Sequence, residues 1–136
     1  MSRPRSFRLP DTLLASLQGR ARERGESANA LAERYLEEGL RRDDHPLIVF
    51  RDGAAGRRAA LVGTRLDVAQ VIDTLRESDN SVEATAEYLG IPEQHVRAAV
   101  RYYADFREEV DEWREQTRAV AEREEEAWRR EQAILA

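Results

Sequence analysis

A single stretch of strand-like alternation, residues 4–9, stands at the start of the chain ahead of two helical segments. Phe7 and Leu9 fall on one face of such a strand. The opposite face carries Ser6 and Arg8. A lone strand cannot persist, because its backbone N–H and C=O groups would lack hydrogen-bond partners. The strand therefore requires a second strand, and the simplest candidate is its copy in a second subunit.

Two amphipathic helices are predicted after this strand. Asp11 is expected to cap the first helix, Gly25 to end it, and Ser27 to cap the second. The apolar residues recur at helical spacing, and they are Leu13, Leu14, Leu17, Ala21, Leu31, Tyr35, Leu36 and Leu40. Each helix therefore has one apolar stripe to bury.

The strand and the two helices share a residue pattern with a known family. The pattern consists of Phe7-Arg8-Leu9-Pro10, then Leu13–Leu17, Gly25 and Ser27. It resembles the ribbon-helix-helix repressors, such as the Arc and MetJ group, over residues 3–42. In that family two chains interlock, and their paired antiparallel strands enter the major groove of DNA. The resemblance therefore implies a DNA-binding dimer.

The same resemblance implies which residues contact DNA. The outward positions of the strand, where bases would be read, are Pro4, Ser6 and Arg8. Of these, Arg8 is the strongest candidate, because a guanidinium group can bond the O6 and N7 atoms of guanine as a fork. Arg3 and Arg5 would meet phosphates at the flanks.

A phosphate clamp is implied at the start of the second helix. Its backbone N–H groups and helix dipole would hold a DNA phosphate, and the residues concerned are Ser27, Ala28 and Asn29. The alternative for the whole segment is a ribbon that serves dimerisation alone.

A β-hairpin and a helix are predicted next. Leu47–Phe50 is rich in β-branched and aromatic residues, residues 52–56 form a glycine-containing turn, and Arg57–Val62 is the return strand. The apolar face of the following helix consists of Val68, Val71, Ile72 and Leu75.

Two further helices fit the geometry of a helix-turn-helix unit. Ser81 caps the first, and Pro92 lies in the first turn of the second. Ala86, Gly90 and Val96 are the small residue, turn glycine and apolar residue that two steeply crossing helices need. The outward positions of the second helix, where a DNA reader carries base contacts, are Gln94, Arg97, Ala98 and Arg101. The alternative is a three-helix packing unit for dimerisation or for docking another protein.

Residues 45–113 carry a further series of motifs. They are Gly63-Thr64-Arg65-Leu66, Ser81-Val82-Glu83, Tyr88-Leu89-Gly90, Val96-Arg97-Ala98-Ala99, Tyr102-Tyr103-Ala104 and Glu108-Glu109-Val110-Asp111-Glu112-Trp113. The series resembles a bacterial family described as domain of unknown function 433. Members of that family look like antitoxins of toxin–antitoxin pairs, commonly beside a toxin with a PIN-like ribonuclease fold.

The last 32 residues, from Asp105 to Ala136, contain neither Gly nor Pro and are predicted to be helical. One narrow apolar stripe, from Phe106 to Leu135, winds along this charged segment and fails around residues 123–126. Such a helix needs something to pack on, which could be a second subunit, the chain's own domains or another protein. The antitoxin resemblance implies a toxin, and the candidate contacts are Trp113, Trp128, Ile134 and Leu135. A coiled coil between subunits is the alternative.

Charge is unevenly distributed along the chain, whose net charge is -5. Residues 1–42 hold 9 arginines against 6 acidic residues, a net +3. Residues 43–104 have 7 against 10, and residues 105–136 have 6 against 11. A basic start and an acidic end favour an anionic partner for the first segment and a different partner for the last.

Several classes of site are not expected. The chain has no cysteine, which excludes disulfides and thiolate chemistry, and only two histidines. His45 is interpreted as a loop residue and His95 as a partly exposed polar residue. No nucleophile lies beside a base, and no glycine-rich loop precedes a helix, so we expect neither an enzyme nor a cofactor or metal site. No secretory signal or membrane span is recognised, which favours a cytoplasmic protein.

The sequence predicts a mainly α-helical chain with small β elements. It divides into a ribbon-helix-helix segment with an intersubunit β-ribbon (1–42), a hairpin and helix-turn-helix domain (43–113) and a long acidic C-terminal helix (114–136). The predicted function is that of an antitoxin: a homodimer or higher oligomer that represses its own operon and neutralises a PIN-like ribonuclease. The alternatives are a stand-alone transcriptional regulator whose last helix serves only oligomerisation, and an interaction adaptor.

Overall fold

A computed structural model of the chain describes residues 1–53 and 55–136. Ala54, which falls in the predicted hairpin turn, lies outside the described residues. The described part forms six helices and one two-stranded antiparallel sheet, which confirms the prediction of a mainly α-helical chain with small β elements. It divides into two compact units, Met1–Arg41 and Arg42–Ala136.

The helices that begin in the first unit are α1 (Asp11–Arg24) and α2 (Ala28–Asp44). Gly25 ends α1 in the left-handed backbone region, with a φ of 67°. Ser27 caps α2, because its side-chain oxygen accepts a hydrogen bond from the Ala30 N–H at 3.1 Å. Both of these predicted helix ends are confirmed.

The beginning of α1 differs from the prediction. Asp11 is the first helical residue rather than the cap, and Pro10 occupies the cap position without a side-chain hydrogen bond. The extended backbone of Pro10 lets its carbonyl oxygen accept the first helical hydrogen bond, from the Leu14 N–H at 3.0 Å. The Asp11 carboxylate still lies in the first turn, where negative charge interacts favourably with the helix dipole.

Residues 1–10 form neither helix nor strand. The predicted strand over residues 4–9 needs a partner strand, and the predicted partner is a second subunit. The intersubunit ribbon therefore stays a prediction.

The second unit begins with a hairpin of β1 (Ile48–Gly53) and β2 (Gly56–Leu61). The strands pair antiparallel from Ile48 opposite Leu61 to Gly53 opposite Gly56. A hairpin is predicted at this place, and Ile48, Ala59 and Leu61 supply one wall of the core. Arg58 and Ala60 are also buried, but they line a pocket beside the hairpin.

Four helices complete this unit: α3 (Val68–Glu77), α4 (Val82–Leu89), α5 (Glu93–Asp105) and α6 (Arg107–Leu135). Asp67 and Gln70 form a capping box at the start of α3. Ser81 caps α4 as predicted, and Gly90 ends it with a φ of 69°. The hydrophobic core joins the hairpin to all four helices, and its fully buried members include Leu61, Val68, Val71, Ile72, Val96, Ala99, Tyr102 and Val110.

The long last helix begins at Arg107, two residues after the predicted start at Asp105. Helix α5 ends at Asp105, and α6 begins only after Phe106, whose backbone (φ -130°, ψ 44°) is not helical. The Phe106 ring lies 4.7 Å from the Tyr102 ring and 6.0 Å from the His45 ring. No Gly or Pro lies at the break between α5 and α6. The break instead coincides with the packing of the Phe106 ring against Tyr102 and His45. Among the described residues, no helix combines the length and the apolar character needed to cross a bilayer.

Candidate nucleic-acid interface

The predicted base-reading segment is open to solvent. Every residue from Met1 to Pro10 is exposed, including Arg3, Arg5, Ser6 and Arg8. Phe7, on the face opposite Arg8 in a strand, is 69% exposed. Leu9 is also exposed, so this face of the segment has an apolar surface available for a partner.

The predicted phosphate clamp has the local geometry that the sequence indicated. Ala28 and Asn29 lie in the first turn of α2, where an α-helix offers no acceptor of its own for the backbone N–H groups. That turn contains no acidic residue. Ser27 is exposed and uses its side chain to cap the helix. The helix start can therefore present N–H groups and a positive dipole end to a phosphate.

One acidic residue next to the clamp is neutralised within the first unit. Glu26 directly precedes Ser27, and its carboxylate would repel a phosphate. Arg34, two turns into α2, holds both oxygens of Glu26, with Nη1–Oε1 and Nη2–Oε2 distances of 2.5 and 3.2 Å. This two-point ion pair is the arrangement that suits a guanidinium and a carboxylate best. Sequence reasoning did not identify Arg34, because no local pattern links it to Glu26, which lies eight residues earlier and outside the helix.

The residues of the second predicted DNA contact lie together on one face of α5. Gln94, Arg97 and Arg101 are exposed, and Ala98 is half-buried. All four line a shallow pocket of about 260 Å³, whose other wall is residues 44–47. Two guanidinium groups favour an anion at this pocket, whereas the carboxylate of Asp44 in its lining opposes one.

His45 has a different environment from the predicted one. It lies in a loop, as expected, but its side chain is buried, with Nε2 2.9 Å from Oδ2 of Asp105. The edge of its ring packs against Tyr102 at 5.2 Å. His45 therefore tethers the end of α2 to the end of α5 within the second unit. His95 is partly exposed, as predicted.

The candidate partner-binding residues on α6 fall into two environments. Trp113 is half-buried and packs against the hydrophobic core of the second unit. Trp128, Ile134 and Leu135 are exposed, Trp128 by 58%. The first third of α6 thus contributes to the fold, and the last third leaves its large apolar side chains in solvent.

A hydrogen-bonded network holds the beginning of α6 in place. The Tyr103 hydroxyl donates to Asp111 at 2.8 Å and accepts from Arg76 at 2.6 Å. Arg114 bridges Asp73 of α3 at 2.6 Å and Asp111 at 3.1 Å. The Tyr103 hydrogen bond lowers the pKa of Asp111, against the effect of burial and with help from Arg114. Burial acts to lower the pKa of Arg114, but its bonds to the two carboxylates outweigh burial and raise it.

No protein-family model, curated protein or solved structure matches the chain. Within the described ranges 1–53 and 55–136, no group of three or more His, Asp or Glu residues could hold a metal ion.

Proposed function

We propose that this chain is a DNA-binding antitoxin that acts as a homodimer through its first 42 residues. The observation that carries the proposal is the apolar surface that one copy of the first unit leaves open. Only Ala21 and Leu31 are buried in its helices. Its exposed large apolar residues are Phe7, Leu9, Leu13, Leu14, Tyr35, Leu36 and Leu40.

A second copy is the partner that suits this surface. Phe7 and Leu9 would lie on the buried face of a paired ribbon, and the leucines of α1 and α2 would pack beneath it. The strand over residues 4–9 would gain the backbone hydrogen bonds that it lacks alone. The opposite face of the ribbon would then carry Ser6 and Arg8 from both copies toward DNA.

The proposed DNA contacts consist of positively charged side chains and of the N-terminal end of a helix. Residues 1–42 are the basic part of an acidic chain, and the exposed arginines 3, 5 and 8 lie in the proposed ribbon. The clamp at Ser27–Asn29 adds backbone N–H groups for a phosphate, and the Glu26 charge beside it is compensated by Arg34. In the helix-turn-helix reading of α4 and α5, Arg97 and Arg101 form a second, weaker contact.

The acidic helix α6 is proposed to bind the toxin, a ribonuclease of PIN-like fold. Alternating steps of three and four residues define a seam along α6: Val110, Trp113, Thr117, Val120, Glu124, Ala127, Glu131 and Ile134. In a parallel coiled coil of two copies, Glu124 and Glu131 would each face their own copy. Like charges at a buried seam are unfavourable, so a basic protein surface is a better partner than a second α6.

The second candidate function is a stand-alone transcriptional regulator whose α6 serves only oligomerisation. The seam residues Val120 and Ala127, which are half-buried in one copy, favour this alternative. A nuclease reading frame beside the gene would support the antitoxin. The absence of such a reading frame would favour the stand-alone regulator.

The experiment that tests DNA reading compares two arginine variants by fluorescence anisotropy on DNA from upstream of the gene. Arg8→Ala should lose about 1–3 kcal/mol of specific binding, because it removes a base contact from each copy. Arg20→Ala is the matched control, since Arg20 pairs with Glu23 on the exposed surface of α1. If the Arg8→Ala protein binds this DNA with unchanged affinity, the ribbon does not read the DNA sequence.

A further inference from the structure

A second concentration of arginines lies in the second unit, beside the hairpin. A pocket of about 210 Å³ opens between the two strands and the segment that leads into α3. Arg51, Arg58 and Arg65 line it, together with Asp52 and Asp67. None of these residues belongs to the proposed DNA or toxin contacts.

Arg58 is the unusual member of this pocket. Its side chain is nine-tenths buried, with 10% of its surface exposed. Nη1 donates a hydrogen bond to the Thr117 hydroxyl of α6. Nη2 is buried and has no hydrogen-bond partner. A buried guanidinium with an unsatisfied nitrogen is costly unless something else supplies an acceptor.

The carboxylates of the pocket do not fill this need. Asp67 Oδ2 is 3.9 Å from Nη1 of Arg58, which is beyond hydrogen-bond distance. The other oxygen of Asp67 is committed to capping α3, where it accepts from the Gln70 N–H at 2.8 Å. Asp52 pairs with Arg57 at 3.2 Å. With three arginines and two aspartates in its lining, the pocket carries a net positive charge.

The other two arginines differ in exposure and in how firmly they are held. Arg51 is held in place, since its Nη2 donates to the Leu61 carbonyl oxygen across the hairpin at 2.8 Å. Arg65 is exposed at the rim. Gly53 and Gly56, which also line the pocket, contribute no side chains to its wall. A compact anion can therefore enter from this side.

We propose that this pocket binds a phosphate group, with Arg58 as the buried ligand and Arg65 as the exposed one. A planar carboxylate is satisfied by one guanidinium fork, whereas the several oxygens of a phosphate use donors that arrive from more than one side. Because Nη2 of Arg58 is covered, its guanidinium must turn from Thr117 toward the pocket when phosphate binds. A free ion, a small ligand and a nucleic-acid backbone all offer this phosphate chemistry, and the test below distinguishes them.

The test is a calorimetric titration of the full-length protein with inorganic phosphate at constant ionic strength. Wild-type protein should bind saturably. Arg65→Ala should weaken binding roughly tenfold or more, the loss expected for one charge-assisted hydrogen bond. Arg58→Met, which keeps an unbranched apolar stem and removes the guanidinium group, should abolish it. Arg129→Ala is the control, because Arg129 is exposed on α6 and pairs with Glu125.

Two further titrations identify the source and the chemistry. If inorganic phosphate does not bind but an unrelated DNA duplex binds in an Arg65-dependent manner, the phosphate comes from a nucleic-acid backbone. If acetate competes as well as phosphate does, the assignment to phosphate is overturned. Equal affinities of wild-type and Arg65→Ala proteins for both phosphate and duplex would also overturn it. Arg65→Ala keeps the test valid if Arg58→Met fails to fold, since Arg65 lies on the surface.

Discussion

The ion pair between Glu26 and Arg34 has a consequence for the proposed phosphate clamp. The carboxylate lies one residue before the cap of α2, where a free negative charge would oppose a bound phosphate. Both side chains are about three-quarters buried, with 27% and 25% of their surfaces exposed, so solvent screens the pair only in part. Arg34 therefore acts on the clamp through Glu26, without a place in the clamp itself.

This arrangement predicts a rescue. Arg34→Ala should weaken DNA binding by about 0.3–1 kcal/mol, the usual size of a charge effect at a helix end. Glu26→Gln combined with Arg34→Ala should restore most of the affinity, because the exposed charge is gone. Anisotropy titrations at low salt measure both. A double variant as weak as Arg34→Ala would mean that Arg34 contributes by some route other than Glu26.

Asp111 predicts how stability depends on pH. Its pKa lies below the ordinary value of 3.8, chiefly because the Tyr103 hydroxyl donates to it, while burial acts in the opposite direction. A carboxyl whose pKa is lowered in the folded state stabilises the fold above its unfolded pKa. That stabilisation is lost as the pH falls through the folded pKa, which lies below 3.8. Since Asp111 is 43% exposed, solvent limits the effect.

Tyr103→Phe should therefore raise the pKa of Asp111 toward its ordinary value. The free energy of unfolding should then fall less steeply between about pH 4 and pH 2 than in the wild type. Carbon-detected NMR titration gives the pKa, and urea unfolding at several pH values gives the slope. An unchanged Asp111 titration in Tyr103→Phe would show that the hydroxyl is not the cause of the shift.

The helix ends and caps that the sequence predicted correctly depend on interactions between neighbouring residues. Gly25 and Gly90 end helices because each can adopt a positive φ, and Ser27 and Ser81 cap helices with their own side chains. Each of these interactions spans four residues or fewer. The turn-rich segment between two short apolar runs likewise predicted the hairpin without reference to the rest of the chain.

The features that sequence reasoning missed depend on contacts between distant residues. His45 and Asp105 are separated by 60 positions, and Arg58 and Thr117 by 59. A histidine in a polar loop and an arginine in a strand carry no local sign of burial. The break at Phe106 has the same origin, because the ring packs against His45 rather than continuing a helical face. Around the candidate site, the Ser27 cap of α2 could be predicted, whereas the ion pair between Glu26 and Arg34 could not.

Helix α6 predicts a gradient of stability along its own length. Residues 107–117 are held by Val110 in the core and by Arg114 on α3, whereas almost every residue of 121–135 is exposed. An isolated helix of about 15 residues is marginal in water. Backbone amides of residues 121–135 should therefore exchange with deuterium much faster than those of residues 108–117.

Mass-spectrometric hydrogen exchange measures this difference. Adding the product of a neighbouring nuclease reading frame should slow exchange in residues 121–135, and Trp128→Ala should reduce that protection, since a buried tryptophan is a common binding anchor. Glu122→Ala is a suitable control on the same exposed segment. Protection that is equal along all of α6 in the free protein would mean that this helix already has a partner, such as a second copy.

The basic and acidic parts of the chain suit different partners. The acidic residues 43–136 would repel DNA, so the basic residues 1–42 should make most of the contacts at physiological salt. The acidic part in turn suits a basic protein surface. Under the proposed function, a chain of net charge -5 therefore binds DNA mainly through its basic segment.

The two units should also respond differently to dilution. The second unit contains its own hydrophobic core, whereas the helices of the first bury only Ala21 and Leu31. If the first unit is completed by a second copy, its apparent stability must depend on protein concentration. Both tryptophans lie in the second unit, so their fluorescence reports its unfolding alone, while circular dichroism reports all helices.

A tenfold dilution should therefore lower the denaturation midpoint seen by circular dichroism and leave the tryptophan midpoint unchanged. Leu36→Arg should abolish the concentration dependence and give the mass of one chain in sedimentation equilibrium. Leu36 is 56% exposed in a single copy, so the change spares the monomer core. Gln18→Arg places the same side chain at an exposed polar position of α1 and should remain a dimer. If the wild type already sediments as one chain and both midpoints ignore concentration, no second copy completes the first unit, and the strand over residues 4–9 has no ribbon to join.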